Sequence, residues 1–305
     1  MFETYDSGFY NQFDTVKRKT NGFIKLIRPN SLIPATLLCF TGGFVIDPRV
    51  VFLLKNAQFY ISTVITLIVM SNSMVLNDLF DIELDKINNP DRPLVNGQIT
   101  RQEAIRFSAI LFILSEWLSL RYLNLAAQRV VHVANLLIVF YTPIFKRIPF
   151  FKNVVCAGLI AFSTVFTGIA IGSSSKKNYE LLAVLFKTIF FGSLNVEILM
   201  DIIDMDGDKK NGVNTLPNLF GPEFAWNAAN NISLFAILTT SFSVAFLYDM
   251  RAAIYFFLLQ SPLYFDMIHI QIHDYDKTLI KKYANGLIWP LVFSLAYLCL
   301  VARFK

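Results

Sequence analysis

The sequence predicts an all-α protein: a bundle of membrane-spanning helices. Of its 305 residues 55% are hydrophobic and 16% are charged, whereas an average soluble protein has about 25% charged residues. The mean hydropathy is +0.51. The apolar residues lie in uncharged runs close to the length of about 17–25 residues that a helix needs to cross a bilayer. We therefore expect a polytopic integral membrane protein, with the lipid bilayer as one of its partners.

Nine apolar segments predict about nine spans. They cover approximately residues 30–46, 58–78, 105–122, 127–145, 153–173, 180–200, 225–248, 252–271 and 284–302. The eighth has the shortest charge-free part, because Asp266 interrupts it. We expect a polar N-terminal tail over residues 1–28, a membrane domain over residues 29–305, and a polar cap of loops on the cytoplasmic side.

The basic residues predict the orientation of these spans. Cytoplasmic loops of membrane proteins are enriched in Lys and Arg, and most of the 27 Lys and Arg residues fall on one side if the N-terminus is cytoplasmic. The net charge of +5 could indicate nucleic-acid binding in a soluble protein. Here the basic residues are needed in the loops, so we expect no nucleic-acid partner.

The acidic residues are concentrated in two short blocks. Each block contains the pattern D-x-x-D-x-x-x-D, formed by Asp78, Asp81 and Asp85 in the first and by Asp201, Asp204 and Asp208 in the second. Residues spaced i, i+3 and i+7 share one face of a helix. The blocks follow the second and sixth predicted spans, so both should lie on the cytoplasmic side.

Aligned carboxylates at a helix end need compensation, because like charges repel and a carboxylate at the bilayer centre costs roughly 2.5–3.5 kcal/mol. Mg²⁺ provides it, since this ion takes oxygen ligands from one or two carboxylates while bridging substrate phosphates. The alternatives are solvated acidic loops and a calcium-binding EF-hand. The EF-hand is excluded because Lys209 and Thr215 occupy the positions of its essential Gly and Glu.

The two blocks resemble the paired aspartate motifs of the UbiA superfamily of intramembrane prenyltransferases. The similarity covers NDxxDxxxD followed by RP and Gly, then DxxDxxGDxxxGxxTLP. Arg28-Pro29 and the segment YTPIFKR, residues 141–147, are also similar to family motifs. The chain departs from many relatives at Val196 and Met200, where they carry basic residues, whereas Glu197 matches.

The resemblance implies Mg²⁺-dependent transfer of a prenyl group from a polyprenyl diphosphate to a lipophilic or amphipathic acceptor. The implied metal-binding and catalytic carboxylates are Asp78, Asp81, Asp85, Asp204 and Asp208, with Asp201 as a sixth metal ligand and substrate-binding residue. The other implied substrate-binding residues are Asn77, Arg92, Lys146 and Tyr141. Alternatively, Arg92 and Lys146 are surface charges that set the topology, and Tyr141 is an ordinary interfacial tyrosine.

Several interpretations stay open from the sequence. The acceptor could be an aromatic or quinone precursor, a tetrapyrrole or a glycerol-phosphate ether lipid. The same ionisation could end in cyclisation, as in UbiA-type terpene cyclases, and a transporter with a cation-binding vestibule is a non-enzymatic alternative. Asp266, His269 and His273 repeat the i, i+3, i+7 spacing and could bind the acceptor or form an interfacial hydrogen-bonded group.

Overall fold

The computed structural model describes residues 6–210, 212–261, 270–273 and 275–303, and every regular element within them is a helix. The predicted all-α class is therefore confirmed. Asp266 and His269 lie outside the described residues, so of that predicted cluster only His273 can be placed.

Fifteen α-helices and one 3₁₀-helix are numbered here in chain order over the described residues. They are α1 Asp6–Leu26, α2 Pro29–Ile46, α3 Val50–Leu53, α4 Ala57–Phe80, α5 Ile82–Asn88, α6 Arg101–Tyr122, α7 Leu125–Tyr141, the 3₁₀-helix Phe145–Arg147, α8 Phe151–Ile171, α9 Lys176–Ile203, α10 Met205–Lys210, α11 Leu216–Phe220, α12 Pro222–Leu247, α13 Met250–Gln260, α14 Lys277–Gly286 and α15 Ile288–Arg303.

In the part of the chain that the structure describes, six helical segments are long and apolar enough to cross a membrane: α2, α4, α8, α9, α12 and the consecutive pair α14–α15. Helices α7 and α13 are apolar but shorter, and α6 is long enough but carries charges such as Glu116 in its middle. Each of the nine predicted segments coincides with one of these helices as far as it is described. The protein is thus a multi-pass integral membrane protein, while the count of nine spans stays a prediction.

Helix α9 lies at the centre of the bundle and contacts α2, α8, α12, α14 and α15. Its buried residues Leu181, Leu185 and Ile189 pack with Val45 of α2 and Phe256 of α13. The acidic block at the end of α9 is therefore carried by a helix that is packed on several sides, which fixes its position relative to the other helices.

The N-terminal segment, expected to be a polar tail, forms helix α1 and packs against the start of α6. The rings of Phe23 and Phe107 lie 4.9 Å apart between their centroids, and Lys19 forms an ion pair with Glu103. Leu26 is fully buried. These contacts hold the chain that leads into Arg28, the residue before α2.

Candidate active site

Both acidic blocks lie where a long helix gives way to a short one. Asp81 separates α4 from α5, and Asp204 separates α9 from α10. The backbone angles match, with φ −97° and ψ 12° at Asp81 and φ −88° and ψ 2° at Asp204. This sparsely populated region of backbone conformation often holds active-site residues. The sequence repeat is thus also a structural repeat, with a break at its middle aspartate rather than one continuous helix.

In the first block, two buried carboxylates share one arginine. Asp78 is 2% exposed and Asp85 is 3% exposed. Arg92 Nη1 donates to Asp78 Oδ1 over 2.8 Å and also to Asp85 Oδ2. A buried carboxylate is tolerated only when it is paired, and Arg92 compensates the charge of both carboxylates.

A second arginine, Arg28, donates from Nη2 to Asp78 Oδ1 over 2.5 Å. Its backbone is left-handed, with φ 48° and ψ 71°, a conformation that few residues other than glycine adopt. Such strain concentrates at functional sites. The sequence interpretation connected Arg28 only with the Arg-Pro motif and did not include it among the site residues.

The 3₁₀-helix that carries Lys146 lies beside the break in the first block. Lys146 Nζ lies 2.5 Å from Asp81 Oδ2 and 3.4 Å from Asn77 Oδ1. The structure therefore brings together three residues that the sequence predicted for the site, from α4, the helix break and the 3₁₀-helix.

In the second block, the buried Asp201 is bound by two residues of α8. Lys152 Nζ donates to its Oδ1 over 2.7 Å, and Asn153 Nδ2 donates to its Oδ2 over 3.0 Å. Lys152 supplies a positive charge next to α9, whose own positions Val196 and Met200 supply none. The sequence interpretation missed this lysine, because no local spacing links it to Asp201.

The rest of the second block is more open. Asp204 is exposed and Asp208 is half-buried. Asp206 forms an exposed ion pair with Lys277, with Nζ and Oδ2 2.5 Å apart, and this cation lowers the pKa of the Asp206 carboxyl.

The two blocks lie close enough to share charges. Desolvation raises the pKa of the Asp208 carboxyl, and the nearby Asp201 carboxylate raises it further. Lys152 and Lys146 oppose this rise. Because Lys146 also binds Asp81 of the first block, one lysine acts on the carboxylates of both blocks.

The donor chemistry of this site fits Mg²⁺ held together with a phosphate ligand. Within the described residues no three His, Cys, Asp or Glu side chains are grouped closely enough to hold a metal ion by themselves. Carboxylates of the two blocks are instead bound by Arg28, Arg92, Lys146 and Lys152. Mg²⁺ typically uses one or two carboxylates and completes its shell with water and phosphate oxygens, so an all-protein cage is not required.

A largely apolar cavity of about 560 Å³ adjoins the site. Asn77 and Tyr141, both predicted site residues, line it together with Glu197 and Cys156. The apolar part of the wall comes from α2, α4, α7 and α8. It includes Leu38, Ile65, Met70, Ile138 and Phe166. We call this space the first cavity.

The wall of the first cavity includes Glu197, which the predicted site did not contain. Glu197 lies one helical turn before Asp201, so an i, i+4 relation to the second block was available as a signal. Its side chain lies beside the Cys156 thiol in this wall.

A sequence model of the UbiA prenyltransferase family matches residues 35–297. The chain belongs to this family. It is therefore a prenyltransferase, as the aspartate motifs predicted.

Related UbiA proteins agree over nearly the whole chain. A digeranylgeranylglyceryl phosphate synthase from Sulfolobus acidocaldarius is 30% identical over 284 residues, which cover 90% of this chain and 98% of the relative. A solved structure concerned with digeranylgeranylglyceryl phosphate synthase in membranes superposes with a TM-score of 0.77 at 25% identity, covering 94% of this chain and 99% of that one.

A UbiA homologue from Archaeoglobus fulgidus bound to DMAPP and Mg²⁺ has the same fold. It superposes with a TM-score of 0.66 at 19% identity, covering 90% of this chain and 99% of that one. This similarity supports the UbiA fold of the helical bundle and, at that identity, the fold alone.

Proposed function

We propose that this UbiA enzyme transfers a prenyl group from a polyprenyl diphosphate to a glycerol-phosphate ether lipid, with Mg²⁺ as cofactor. The observation that carries the proposal is the pair of acidic blocks, bound by arginine and lysine side chains, beside the apolar first cavity. Such a site can hold a charged diphosphate together with the apolar prenyl chain that is attached to it.

The names of the relatives favour the ether-lipid acceptor among the classes that the sequence left open. Digeranylgeranylglyceryl phosphate carries two geranylgeranyl groups on one glyceryl phosphate. A synthase for it can add the second group to a lipid that already carries the first. For this chain we infer the same chemistry, with geranylgeranyl diphosphate as donor and geranylgeranylglyceryl phosphate as acceptor.

The charges of the site explain why a metal is needed. Arg28, Arg92, Lys146 and Lys152 each bind a carboxylate already. The further negative charge of a diphosphate would therefore be uncompensated, and the exposed Asp204 adds to it. Asp78, Asp81, Asp85, Asp201, Asp204 and Asp208 are the residues that would hold Mg²⁺.

Bound Mg²⁺ supplies Lewis-acid stabilisation of the charge that develops on the diphosphate leaving group. The protein's own cations complete this electrostatic environment. Arg92 can bind phosphate oxygens through two nitrogens at once, whereas Lys146 acts as a point charge. Asn77 can donate a hydrogen bond from its amide at the entrance to the first cavity, where Tyr141 also lies.

The reaction that follows is an alkyl transfer. The bond between C1 of the prenyl chain and the diphosphate oxygen breaks, and the electron pair leaves with the diphosphate. The resulting allylic cation is captured by a lone pair of the acceptor hydroxyl oxygen, and that hydroxyl loses its proton as the ether forms. Apolar walls of the first cavity exclude water, so that capture by the acceptor wins over hydrolysis.

We also propose that the N-terminus and both acidic blocks face the cytoplasm, where soluble prenyl diphosphates are available. The Lys and Arg distribution supports this orientation. Single cysteines placed at Lys86 and at Arg49 in a cysteine-free background should then react with an impermeant thiol reagent from opposite sides of the membrane. Labelling of Lys86→Cys from outside intact cells would contradict it.

The function is tested with the full-length protein in liposomes, supplied with geranylgeranyl diphosphate and geranylgeranylglyceryl phosphate. We expect Asp78→Ala to lower the rate at least roughly 100-fold, since it removes a charge that acts on the transition state. EDTA should stop the reaction and added Mg²⁺ should restore it. The matched control is Asp47→Ala, which removes another arginine-bound carboxylate but lies between α2 and α3.

Three outcomes would contradict this proposal. A wild-type rate in Asp78→Ala would show that the first block takes no part in the reaction. A rate that EDTA leaves unchanged would show that the reaction does not depend on a divalent metal. A cyclic hydrocarbon formed without acceptor would favour the terpene cyclase.

A further inference from the structure

A second cavity, of about 340 Å³, lies beside the first one. It is lined by α9, α12 and the junction of α14 with α15, with contributions from α8 and α13. Ile160 and Glu197 line both cavities. These two residues therefore form part of the wall between the two spaces.

The second cavity contains buried polar groups that lack partners. Asn195 is 2% exposed, and its Nδ2 donates to Ser233 Oγ, but its Oδ1 has no hydrogen-bond partner in the described part of the chain. Ser294 is 1% exposed, and its Oγ is likewise unpaired among those residues. A buried polar group that is left unsatisfied destabilises the protein, so a ligand that satisfies these two groups is favoured.

The remainder of the wall is apolar, from residues such as Phe191, Ile237 and Leu291. A wall of this kind, apolar with a few convergent polar groups, is typical of a site for an organic ligand, and the volume lies in the usual range of about 300–1,000 Å³. The matching ligand is amphipathic: it carries a hydrocarbon part together with oxygens that accept and donate hydrogen bonds.

Glu197 joins this cavity to the reaction site. Residues 197, 201, 204 and 208 follow one another at i, i+4, i+7 and i+11, so they share a face of the helical segment. Glu197 lies one turn further from the helix end than Asp201. Glu197 is thus next to the acidic block that receives the diphosphate, and it also lies in the wall of the second cavity.

We propose that the second cavity binds the acceptor lipid and that Glu197 is a catalytic residue that receives the proton of the acceptor hydroxyl. The inference rests on the proposed function. The Ser294 hydroxyl donates to the ether oxygen of the acceptor, and the one free hydroxyl of the acceptor lies between Asn195 Oδ1 and the Glu197 carboxylate. The prenyl chain of the donor occupies the first cavity, and the two substrates meet beside Ile160 and Glu197.

The C1–O bond to the diphosphate breaks, and its electron pair leaves with the diphosphate. A lone pair of the acceptor oxygen forms the new C1–O ether bond. The proton of that hydroxyl passes to the Glu197 carboxylate, so no external oxidant or further reactant is required.

The first test fills the second cavity. A Cβ added at Gly192, which lines this cavity, would meet only Leu291 Cδ1, at 3.7 Å, so Gly192→Leu places new bulk in the empty space. We expect KM for geranylgeranylglyceryl phosphate to rise roughly tenfold or more, with KM for geranylgeranyl diphosphate unchanged. The matched control is Gly158→Leu, where the added Cβ would meet only Phe190 Cε2, at 4.0 Å, and which lines neither cavity.

The second test removes the carboxylate. We expect Glu197→Gln to lower kcat for ether formation by roughly 100-fold, the lower end for general-base catalysis, and Glu197→Asp, which keeps a carboxylate, to recover part of that loss. A purely structural defect would leave both variants equally slow. Glu180→Gln, at the other end of α9 and paired with Lys176, is the control.

The outcomes separate the two proposals. A wild-type enzyme that releases diphosphate but forms no ether with this acceptor would overturn the proposed function and the inference with it. A wild-type enzyme that forms the ether, while Gly192→Leu keeps its acceptor KM or Glu197→Gln keeps its kcat, would overturn the inference alone.

Discussion

Replacing Lys152 by methionine should destabilise the protein, because it leaves the Asp201 carboxylate buried with one neutral donor. The side chains of Lys152 and Asp201 are only 15% and 8% exposed, and the two charges lie 2.7 Å apart. At an effective dielectric constant of about 20, their attraction is about 6 kcal/mol. Asn153 still donates to the other carboxylate oxygen, so we expect a loss of about 3 kcal/mol, at the lower end for a broken buried pair.

The measurement is the free energy of unfolding in mixed micelles, followed by helical circular dichroism during a titration with SDS. The double variant Lys152→Met/Asp201→Asn should recover most of the loss, since it removes the uncompensated charge as well. The control is Lys176→Met, because that lysine side chain is 92% exposed and its ion pair spans 3.5 Å. We expect a change within about 0.5 kcal/mol there.

Two results would refute this reasoning. If Lys152→Met is as stable as the wild type, the ion pair does not hold the second block in place. If the double variant is no more stable than the single one, the loss arises from packing of the lysine stem rather than from the unpaired carboxylate.

Two further predictions concern the first block and the packing of α2. Arg92→Lys should lower kcat by roughly 10–100-fold, because the guanidinium binds both buried carboxylates through Nη1 and keeps further N–H groups for the phosphate, whereas an ammonium group has a single nitrogen. Unchanged product formation at saturating substrates would show that Arg92 takes no part in the reaction. Gly42→Ala should destabilise by at least about 2 kcal/mol, since its Cβ would lie 2.0 Å from the carbonyl oxygen of Thr164 on α8. The loss is measured by thermal unfolding. Gly158→Ala is the control, because that position has room for the added carbon. Equal unfolding midpoints for the two variants would contradict the close approach of α2 and α8.

The parts of the site that the sequence predicted are those whose spacing is local. Asp78 and Arg92 are 14 residues apart, and Asp85 and Arg92 are 7 residues apart, so one motif contains all three. The loop with Lys146 was found through its own motif. Which of the predicted residues bind metal or substrate stays a prediction.

The residues that the sequence interpretation missed are paired across helices. Arg28 is 50 residues from Asp78, and Lys152 is 49 residues from Asp201. No periodicity connects positions so far apart, because their contact depends on how α2 packs near α4 and how α8 packs against α9. The breaks at Asp81 and Asp204 were missed for a different reason: hydrogen bonds four residues apart continue through them, so the helical spacing is kept.

The sequence by itself determined the class of this protein, the UbiA prenyltransferase motifs and the helical segments, because hydrophobic length and local carboxylate spacing are properties of consecutive residues. Only the tertiary structure decided which cation binds which carboxylate, and that Glu197 lies between two cavities. The physical reason is that charge compensation and cavity walls are built from several helices at once, and a residue's neighbours on other helices follow from packing rather than from its place in the chain.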